Sequence, residues 1–291
     1  MSRAMHVSPK TMRQQLTFVS EKYEVIPLRE YVRRATERKS VADCVAITFD
    51  DAYAGITTEG LEVLRDLSLP ATVFVPSKAA AKGSDFWWDR FHLIVESPSP
   101  EPWQEILRDC GLPQMNRGDA SDVQAVRDHL LAANAGRPSL PGERPLTRPW
   151  RCATFDELRM MAEWDGIDFG VHTVTHPVLP LLSPSEQAEE IARCYECLQD
   201  ELPRTYALLA YPYGYFDRTT MGAAAAAGMY AAFSAEGFPP PRRTHPFALP
   251  RIGMSESRSV RSLRGRLTRV ARILMLLRVG RAVGRIPKMV Q

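Results

Sequence analysis

The chain reads as an α/β protein built around a barrel of parallel strands, and three observations predict it. Short apolar runs alternate with amphipathic helical stretches along most of the length. Two of the runs, Cys44–Asp51 (CVAITFDD) and Ala71–Val75 (ATVFV), are continuously apolar up to any closing carboxylates, as strands buried on both faces must be. With the helical stretch Thr58–Leu67 between them they make a strand–helix–strand unit, which implies a parallel sheet or barrel.

Each element can be justified in turn. Thr11–Tyr23 carries Met12, Leu16 and Val19 at helical spacing, with Ser8 as cap and Pro9 in the first turn. Val25–Pro27 fits a short strand and Leu28–Arg38 a helix. After ATVFV the rhythm breaks. Residues 76–150 hold an aromatic cluster (Phe86, Trp87, Trp88), helical stretches near Trp103–Cys110 and Val123–Asn134, and a Pro/Gly-rich run from Gly136 to Pro149. They are expected to form an insertion covering one face of the core. The alternation then resumes. Thr154 caps a helix to Glu163, Ile167–His172 is a strand, and Ser183 caps a helix to Leu202 through Glu186. Ala207–Tyr211, Tyr230–Phe233 and Ala248–Ile252 read as strands, and Thr219–Gly228 as an Ala-rich helix. In such a barrel the functional residues sit at the C-terminal ends of strands.

Charge separates the body, residues 1–256, from the tail, 257–291. From Arg258 onward there are ten basic residues and no acidic one, so against a net charge of +3 the rest of the chain is acidic. Leu263, Leu267, Val270, Ile273, Leu274, Leu277 and Val279 lie among the tail's arginines, a pattern that predicts a basic amphipathic helix. Such a helix either makes peripheral contact with an anionic membrane or packs on the barrel with its basic face in solvent. Nucleic-acid binding finds no support beyond charge. Five cysteines, an odd number, fit a reducing compartment better than a disulfide framework. Met1–Gln15 has no apolar signal core and no run of 18 apolar residues occurs, so a cytoplasmic location is expected, with a possible position at the inner membrane face.

Three strand ends carry the chemistry. Thr48-Phe-Asp-Asp51 ends in adjacent carboxylates, whose side chains point in different directions because successive residues alternate along a strand. One can hold a cation while the other moves protons. His172-Thr-Val-Thr-His176 places two imidazoles four residues apart after a strand. Two imidazoles and one carboxylate make a facial triad with coordination positions left open. Ala210-Tyr-Pro-Tyr-Gly214 turns sharply and offers a backbone N–H between aromatic walls.

TFDD, HTVTH and YPYG, in this order, resemble the NodB-type polysaccharide deacetylases, carbohydrate esterase family four. The similarity runs from about Met5 to Met254 and includes LPATVFV. The resemblance implies a distorted (β/α) barrel of about seven strands. It also implies removal of N-acetyl groups from an N-acetylhexosamine-containing glycan, glycan precursor or glycosylated metabolite. A divalent metal would be held by Asp51, His172 and His176; zinc is the expectation, with cobalt, nickel or manganese as alternatives. Asp50 corresponds to the general base that activates the attacking water, and the Tyr213 backbone N–H, beside Pro212, to an oxyanion donor.

The chain also departs from the family pattern. Ala52 stands where family members usually carry Gly. The arginine that many members place before the third motif is missing, and Arg251 is the candidate replacement. The Leu-x-His motif that usually supplies the general acid is not evident; His245 is the first candidate and His92 the second. A first strand with a Tyr-His pair, usual in the family, is not found. Trp88 and Asp89 are expected to face substrate, with Trp87 as the insertion's anchor. Two other readings stand beside deacetylation: hydrolysis of another non-peptide C–N bond, and a catalytically weak, membrane-associated glycan-binding protein.

Overall fold

The computed structural model describes residues 7–41, 43–138, 140, 150–235, 245–256, 258–269 and the backbone of 274–277. Helix α1 (Pro9–Lys22) starts as expected: the Ser8 hydroxyl accepts from the Thr11 N–H, and Pro9 fills the first turn. The Glu256 carboxylate accepts from the Ser8 N–H at 2.7 Å. The buried Gln15 amide donates to the carbonyls of Ser255 and Arg258 at 3.0 and 2.8 Å. The first helix is thereby tied to the turn after the last barrel motif.

The apolar run Cys44–Asp51 is two strands rather than one. β2 (Cys44–Val45) pairs with β1 (Glu24–Val25), and β3 (Ile47–Phe49) pairs with β4 (Ala71–Val75), the partner changing at Ala46. Helix α2 (Leu28–Thr36) lies between β1 and β2 in the chain, and α3 (Glu59–Asp66) joins β3 to β4. Four further strands follow: β5 (Ile167–Val171), β6 (Thr205–Ala210), β7 (Ala231–Phe233) and β8 (Arg251–Gly253). With β9 (Leu274–Leu277) they complete a seven-stranded sheet in the order β7-β6-β5-β4-β3-β9-β8, every pair parallel.

The free edge of β7 meets the chain that leads into β8. Ala232 N–H donates to Pro246 O, Leu249 N–H to Ala232 O, and Ser234 N–H to Leu249 O, at 2.8 to 3.0 Å. The two edges of the sheet are thus brought together, and the fold is a distorted (β/α) barrel. Outer positions such as Val73, Val75, Phe169 and Leu209 belong to the main core. Inner positions form a second cluster: Phe74, Leu208, Ala210 and Phe233 fill the lumen, and Leu28, Tyr31 and Val32 of α2 join it. A Cβ on Gly170 would lie 2.6 Å from the Phe74 ring, so only glycine lets this phenyl cross the lumen.

Among the described residues of 76–150 there are four α-helices: α4 (Ser77–Lys82), α5 (Trp87–Glu96), α6 (Glu101–Asp109) and α7 (Ala120–Ala132). The last two answer the predicted stretches. The first two gave no clean period, because SKAAAK has no apolar stripe and α5 opens inside the aromatic cluster. Phe91, Ile94, Trp103, Ile106, Leu107, Val126 and Leu130 make a cluster of their own. Leu131 joins Val178, Tyr213 and Tyr215 in another, and so ties the insertion to the loops at the strand ends. Most of the Pro/Gly-rich run lies outside the described residues. Helices α8 (Phe155–Met161) and α9 (Pro184–Glu201) both start on capping boxes, and α10 (Arg218–Ala226) on Asp217.

The tail corrects the sequence reading. Its helix, α11, covers only Val260–Arg269, and Leu263 and Leu267 are buried in the main core. The apolar stripe that suggested a membrane surface is turned inward there, because burying it against α1 and the barrel removes it from water at no cost in desolvated charge. The next apolar run, Leu274–Leu277, is a strand between β3 and β8, as four consecutive apolar residues in a parallel sheet should be. The basic residues from Arg278 on lie outside the described residues. Among the described residues no helix is long and apolar enough to cross a membrane.

Candidate active site and metal centre

The chain turns left-handed at the end of β3, with φ of 67° at Asp51 and 50° at Ala52. Such a turn is strained for a non-glycine residue, by about 1 kcal/mol or more each. It sends the two carboxylates apart. Asp50 points to Arg251, whose guanidinium donates to both of its oxygens at 2.8 and 2.9 Å. Arg251 is fixed in turn by its Nε donating to Ser234 O at 2.8 Å, and its guanidinium lies over the Phe74 ring at 5.4 Å. Arg251, the candidate replacement named from the sequence, thus lies against Asp50, reaching it from β8.

Asp51 is buried and faces the two histidines. Its Oδ1 lies 3.3 Å from His172 Nε2 and 3.1 Å from His176 Nε2. One ligand atom from each of the three residues falls within 4.8 Å of the others. His172 Nδ1 is 2.8 Å from the Ala210 carbonyl, which can only accept, so Nδ1 is the donor there and Nε2 is the ring nitrogen that faces Asp51. Burial opposes ionisation of Asp51, but the hydrogen bonds and charges of His172 and His176 overcome it and hold the carboxyl well below the usual range. A carboxylate oxygen and two imidazole nitrogens converging in a buried site are a donor set for a divalent cation, and the set fits zinc chemistry.

Helix α9 sets the HTVTH loop. Glu190 accepts from the Thr175 N–H at 2.8 Å and from its hydroxyl at 2.5 Å, and Val174 N–H donates to Glu190 O. Inside the loop Thr173 Oγ1 accepts from the His176 N–H at 3.1 Å. Thr173 and His176 are both left-handed, at φ 66° and 56°. In the third motif Tyr213 is left-handed too, at φ 57°, within a turn that includes buried Pro212. Gly214 there has φ 78°, and a Cβ would sit 2.4 Å from Ala235 Cβ, so the motif requires glycine.

Aromatic rings wall the triad. The rings of Trp88 and Tyr213 lie 4.8 and 4.6 Å from the His176 ring. Phe86 stacks on Trp88 at 4.6 Å. Trp87 donates from Nε1 to the Tyr213 hydroxyl at 2.9 Å, and that hydroxyl donates to Gly136 O at 3.0 Å, which fastens the insertion to the YPYG turn.

Asp89 was expected to face substrate and instead is buried behind this wall. It accepts from the Tyr53 hydroxyl at 2.6 Å, and Tyr53 accepts from Trp88 Nε1 at 2.8 Å. Its helical position turns it away from the face that Trp88 presents. Burial, then the Asp89 and Asp51 charges, push the Tyr53 hydroxyl well above its usual range, so it stays a donor. Tyr53 and Phe74 were missed in the sequence. The signal for Tyr53 was its place two residues after Asp51; Phe74 looked like any other core residue.

His245 is exposed. Its Nδ1 accepts from the Phe247 N–H at 3.2 Å, and among the described contacts none joins it to Asp50, Asp51 or the two histidines. His92 Nε2 lies 3.1 Å from Glu96 within the insertion.

A family model described as polysaccharide deacetylase matches residues 37–109 and 129–232, more than half of the chain. No curated protein sequence matches significantly. Among solved structures, the Streptococcus pyogenes deacetylase PplD in complex with acetate is 19% identical, with a TM-score of 0.59 over 89% of this chain and 86% of its own. A de-N-acetylase from Aggregatibacter actinomycetemcomitans is 14% identical, with a TM-score of 0.59 over 90% of each chain. The deacetylase domain of BpsB from Bordetella bronchiseptica is 14% identical, with a TM-score of 0.51 over 86% of this chain and 88% of its own. At such identities these likenesses speak to the fold, and they agree with the barrel described above. With the family model covering all three motifs, the chain belongs to the polysaccharide deacetylase family of de-N-acetylating hydrolases.

Proposed function

We propose that this protein is a divalent-metal-dependent hydrolase, zinc-loaded by preference, that removes the acetyl group from an N-acetylhexosamine unit of a glycan, glycan precursor or glycosylated metabolite. The convergence of Asp51 Oδ1 and the two histidine Nε2 atoms carries the reading. A cation held there would supply Lewis-acid activation of water and of the amide carbonyl. Asp50 is the base. Bidentate pairing with Arg251 occupies two of the roughly four acceptor positions on its carboxylate, which leaves the others for the attacking water. The carboxylate takes the water's proton at one oxygen. It returns that proton to the departing amine nitrogen, a role for which rim-exposed His245 is poorly placed. The Tyr213 N–H stabilises the carbonyl oxygen as it gains charge, a contribution of about 3 kcal/mol. The Trp88 ring presents a flat apolar face for the sugar or the acetyl methyl. The odd number of cysteines favours a reducing compartment such as the cytoplasm.

Metal analysis combined with acetate release from a panel of N-acetylated sugars tests the proposal. Wild type should carry a transition metal and release acetate. Asp50→Asn should keep the metal and lose turnover by about 10²-fold or more, whereas His176→Ala should lose both. A wild type without bound metal after growth in zinc-supplemented medium would remove the hydrolytic mechanism.

A further inference from the structure

Beside His176 the barrel rim opens into a cleft of about 550 Å³ that extends past Trp88, away from the reacting amide. One wall is aromatic, from Phe86, Trp87 and Trp88, and is continuous with the indole that faces His176. Lys78 and Lys82, one helical turn apart on α4, and Arg137 of the insertion also line the cleft. The single acidic residue in the lining, Asp85, is paired with Arg90 at 2.6 Å. Lys78 and Lys82 are exposed, and neither has an ion-pair partner among the described residues.

Arg137 is held in place. Its Nη1 donates to Thr175 Oγ1 at 3.0 Å and its Nε to Asn134 O at 3.1 Å, and it is ion-paired with Glu190 at 3.6 Å, so it contributes fixed donors while Lys78 and Lys82 contribute the uncompensated charge. Thr175 is also the residue before the metal-binding His176, so the guanidinium is positioned by the same loop that positions the cation triad. Surface lysines alone are usually solvated charge. Here they share one cleft with a fixed guanidinium and an aromatic platform, at the edge of the reacting centre. Aromatic surface suits the apolar face of a pyranose, and convergent Arg and Lys suit an anion carrying more than one charge.

We propose that this cleft receives a phosphoryl substituent of the substrate, making the preferred substrate an N-acetylhexosamine that carries a phosphate or diphosphate. The inference rests on the deacetylase reading above. A dianionic phosphoryl group gains about twice the Coulomb attraction of a monoanionic carboxylate at the same place, which favours it over an acidic sugar.

The experiment has a binding arm and a kinetic arm, both on the full chain. Inorganic pyrophosphate is titrated into the protein by calorimetry at two salt concentrations. In parallel, kcat/KM for acetate release is measured on N-acetylglucosamine, N-acetylglucosamine 1-phosphate and N-acetylmuramic acid. Pyrophosphate should bind, more weakly at high salt, and the phosphorylated sugar should be preferred over the neutral one. In Lys78→Gln/Lys82→Gln the pyrophosphate affinity and that preference should each fall about tenfold, and Lys22→Gln on α1 should change neither. Equal kcat/KM on all three sugars, or pyrophosphate binding that survives the double substitution, would overturn the assignment. A preference for the carboxylated sugar equal to that for the phosphorylated one would overturn the phosphoryl choice. Pyrophosphate binding lost in the double variant, with acetate released from none of the sugars, would uphold the anion cleft and sink the deacetylase reading instead.

Discussion

The barrel lumen carries two arginine–carboxylate pairs, one on each side of Phe74, and they serve different ends. Below, Arg29 of α2 pairs with Asp168 near the start of β5 and lies over the Tyr206 ring at 5.0 Å. The Arg29 side chain is 41% exposed and reaches solvent. Above, Arg251 and Asp50 are enclosed, at 0% and 5%, and joined by two parallel hydrogen bonds. Both arginines rest on an aromatic ring, so the local chemistry is nearly the same. What differs is the neighbour. Asp50 sits one residue from Asp51 and its histidine partners, while Asp168 looks into an apolar barrel. An enclosed ion pair is a costly way to hold a fold together. It makes sense beside a reacting centre, where a fixed carboxylate is worth more than a stable one.

The largest effect should come from separating the pairs by mutation. Arg251→Lys keeps a charge in the pocket but loses the two-pronged grip on Asp50. It should lower kcat by about 10²-fold, the scale expected when a base is misplaced by an ångström, with bound metal unchanged. Arg29→Lys at the lower pair should leave kcat within about twofold. If the two substitutions depress kcat alike, the upper pair is a structural element and not a base holder.

The strand β9 offers a second way to divide them. It runs between β3, which delivers Asp50, and β8, which carries Arg251, whereas Arg29 and Asp168 are joined across α2 and β5. Proline in a central strand removes a ladder hydrogen bond and costs about 3 kcal/mol. Leu276→Pro should lower the melting temperature by about 6 °C or more and lose most turnover. Native-like activity in that variant would mean that β9 does not set the distance between base and arginine.

A third buried carboxylate sharpens the contrast because it accepts from a neutral hydroxyl. Asp89 is held by the Tyr53 hydroxyl, which in turn holds the Trp88 indole against the site. Tyr53→Phe removes one hydrogen-bond partner from each group and should cost about 1–3 kcal/mol of stability. Its kinetic signature should be a raised KM with kcat changed by less than about threefold, since the proposed function puts Trp88 against the substrate and away from the proton transfer. A fall in kcat at constant KM would instead place Tyr53 on the proton path.

Much of this was legible in the sequence, and the limits are physical. The TFDD and HTVTH strand ends pointed to the Asp51, His172 and His176 cluster, which could hold a cation, because chemistry restricts which residues can bind one. Arg251 was also legible, since a strand reading Leu-Pro-Arg-Ile places a charge where only a paired one survives. Asp89 was misjudged because adjacent helical residues point about 100° apart, and the sequence does not say which of Trp88 and Asp89 faces out. The tail was read as one helix because arginines recur at helical spacing as far as Arg281. The compact ILMLL run inside it follows strand logic, and tertiary pairing with β3 decided the matter. Ala52 shows the same limit from the other side. Its left-handed φ confirms that the turn wants the glycine usual in the family, yet a buried methyl occupies the place.

The smallest expected effect tests the lower pair directly. Burial raises the Asp168 carboxyl above the ordinary value, with the Arg29 charge and hydrogen bond working against it. The folded chain therefore takes up this proton at higher pH than the unfolded chain does, near 3.9. Between the two values the folded state binds more protons, so this group adds stability as pH falls through the raised folded value. Asparagine mimics the protonated form and does not titrate. Asp168→Asn should therefore melt at or slightly above wild type at pH 7, by less than about 3 °C, and the gap should close as pH approaches 4, with kcat unchanged throughout. Calorimetric melting from pH 7 to 4 reads both the size and the direction. A variant that melts well below wild type at pH 7, with the deficit shrinking on acidification, would show that the lower pair stabilises the ionised carboxylate. The two ends of the lumen would then differ in solvent access alone.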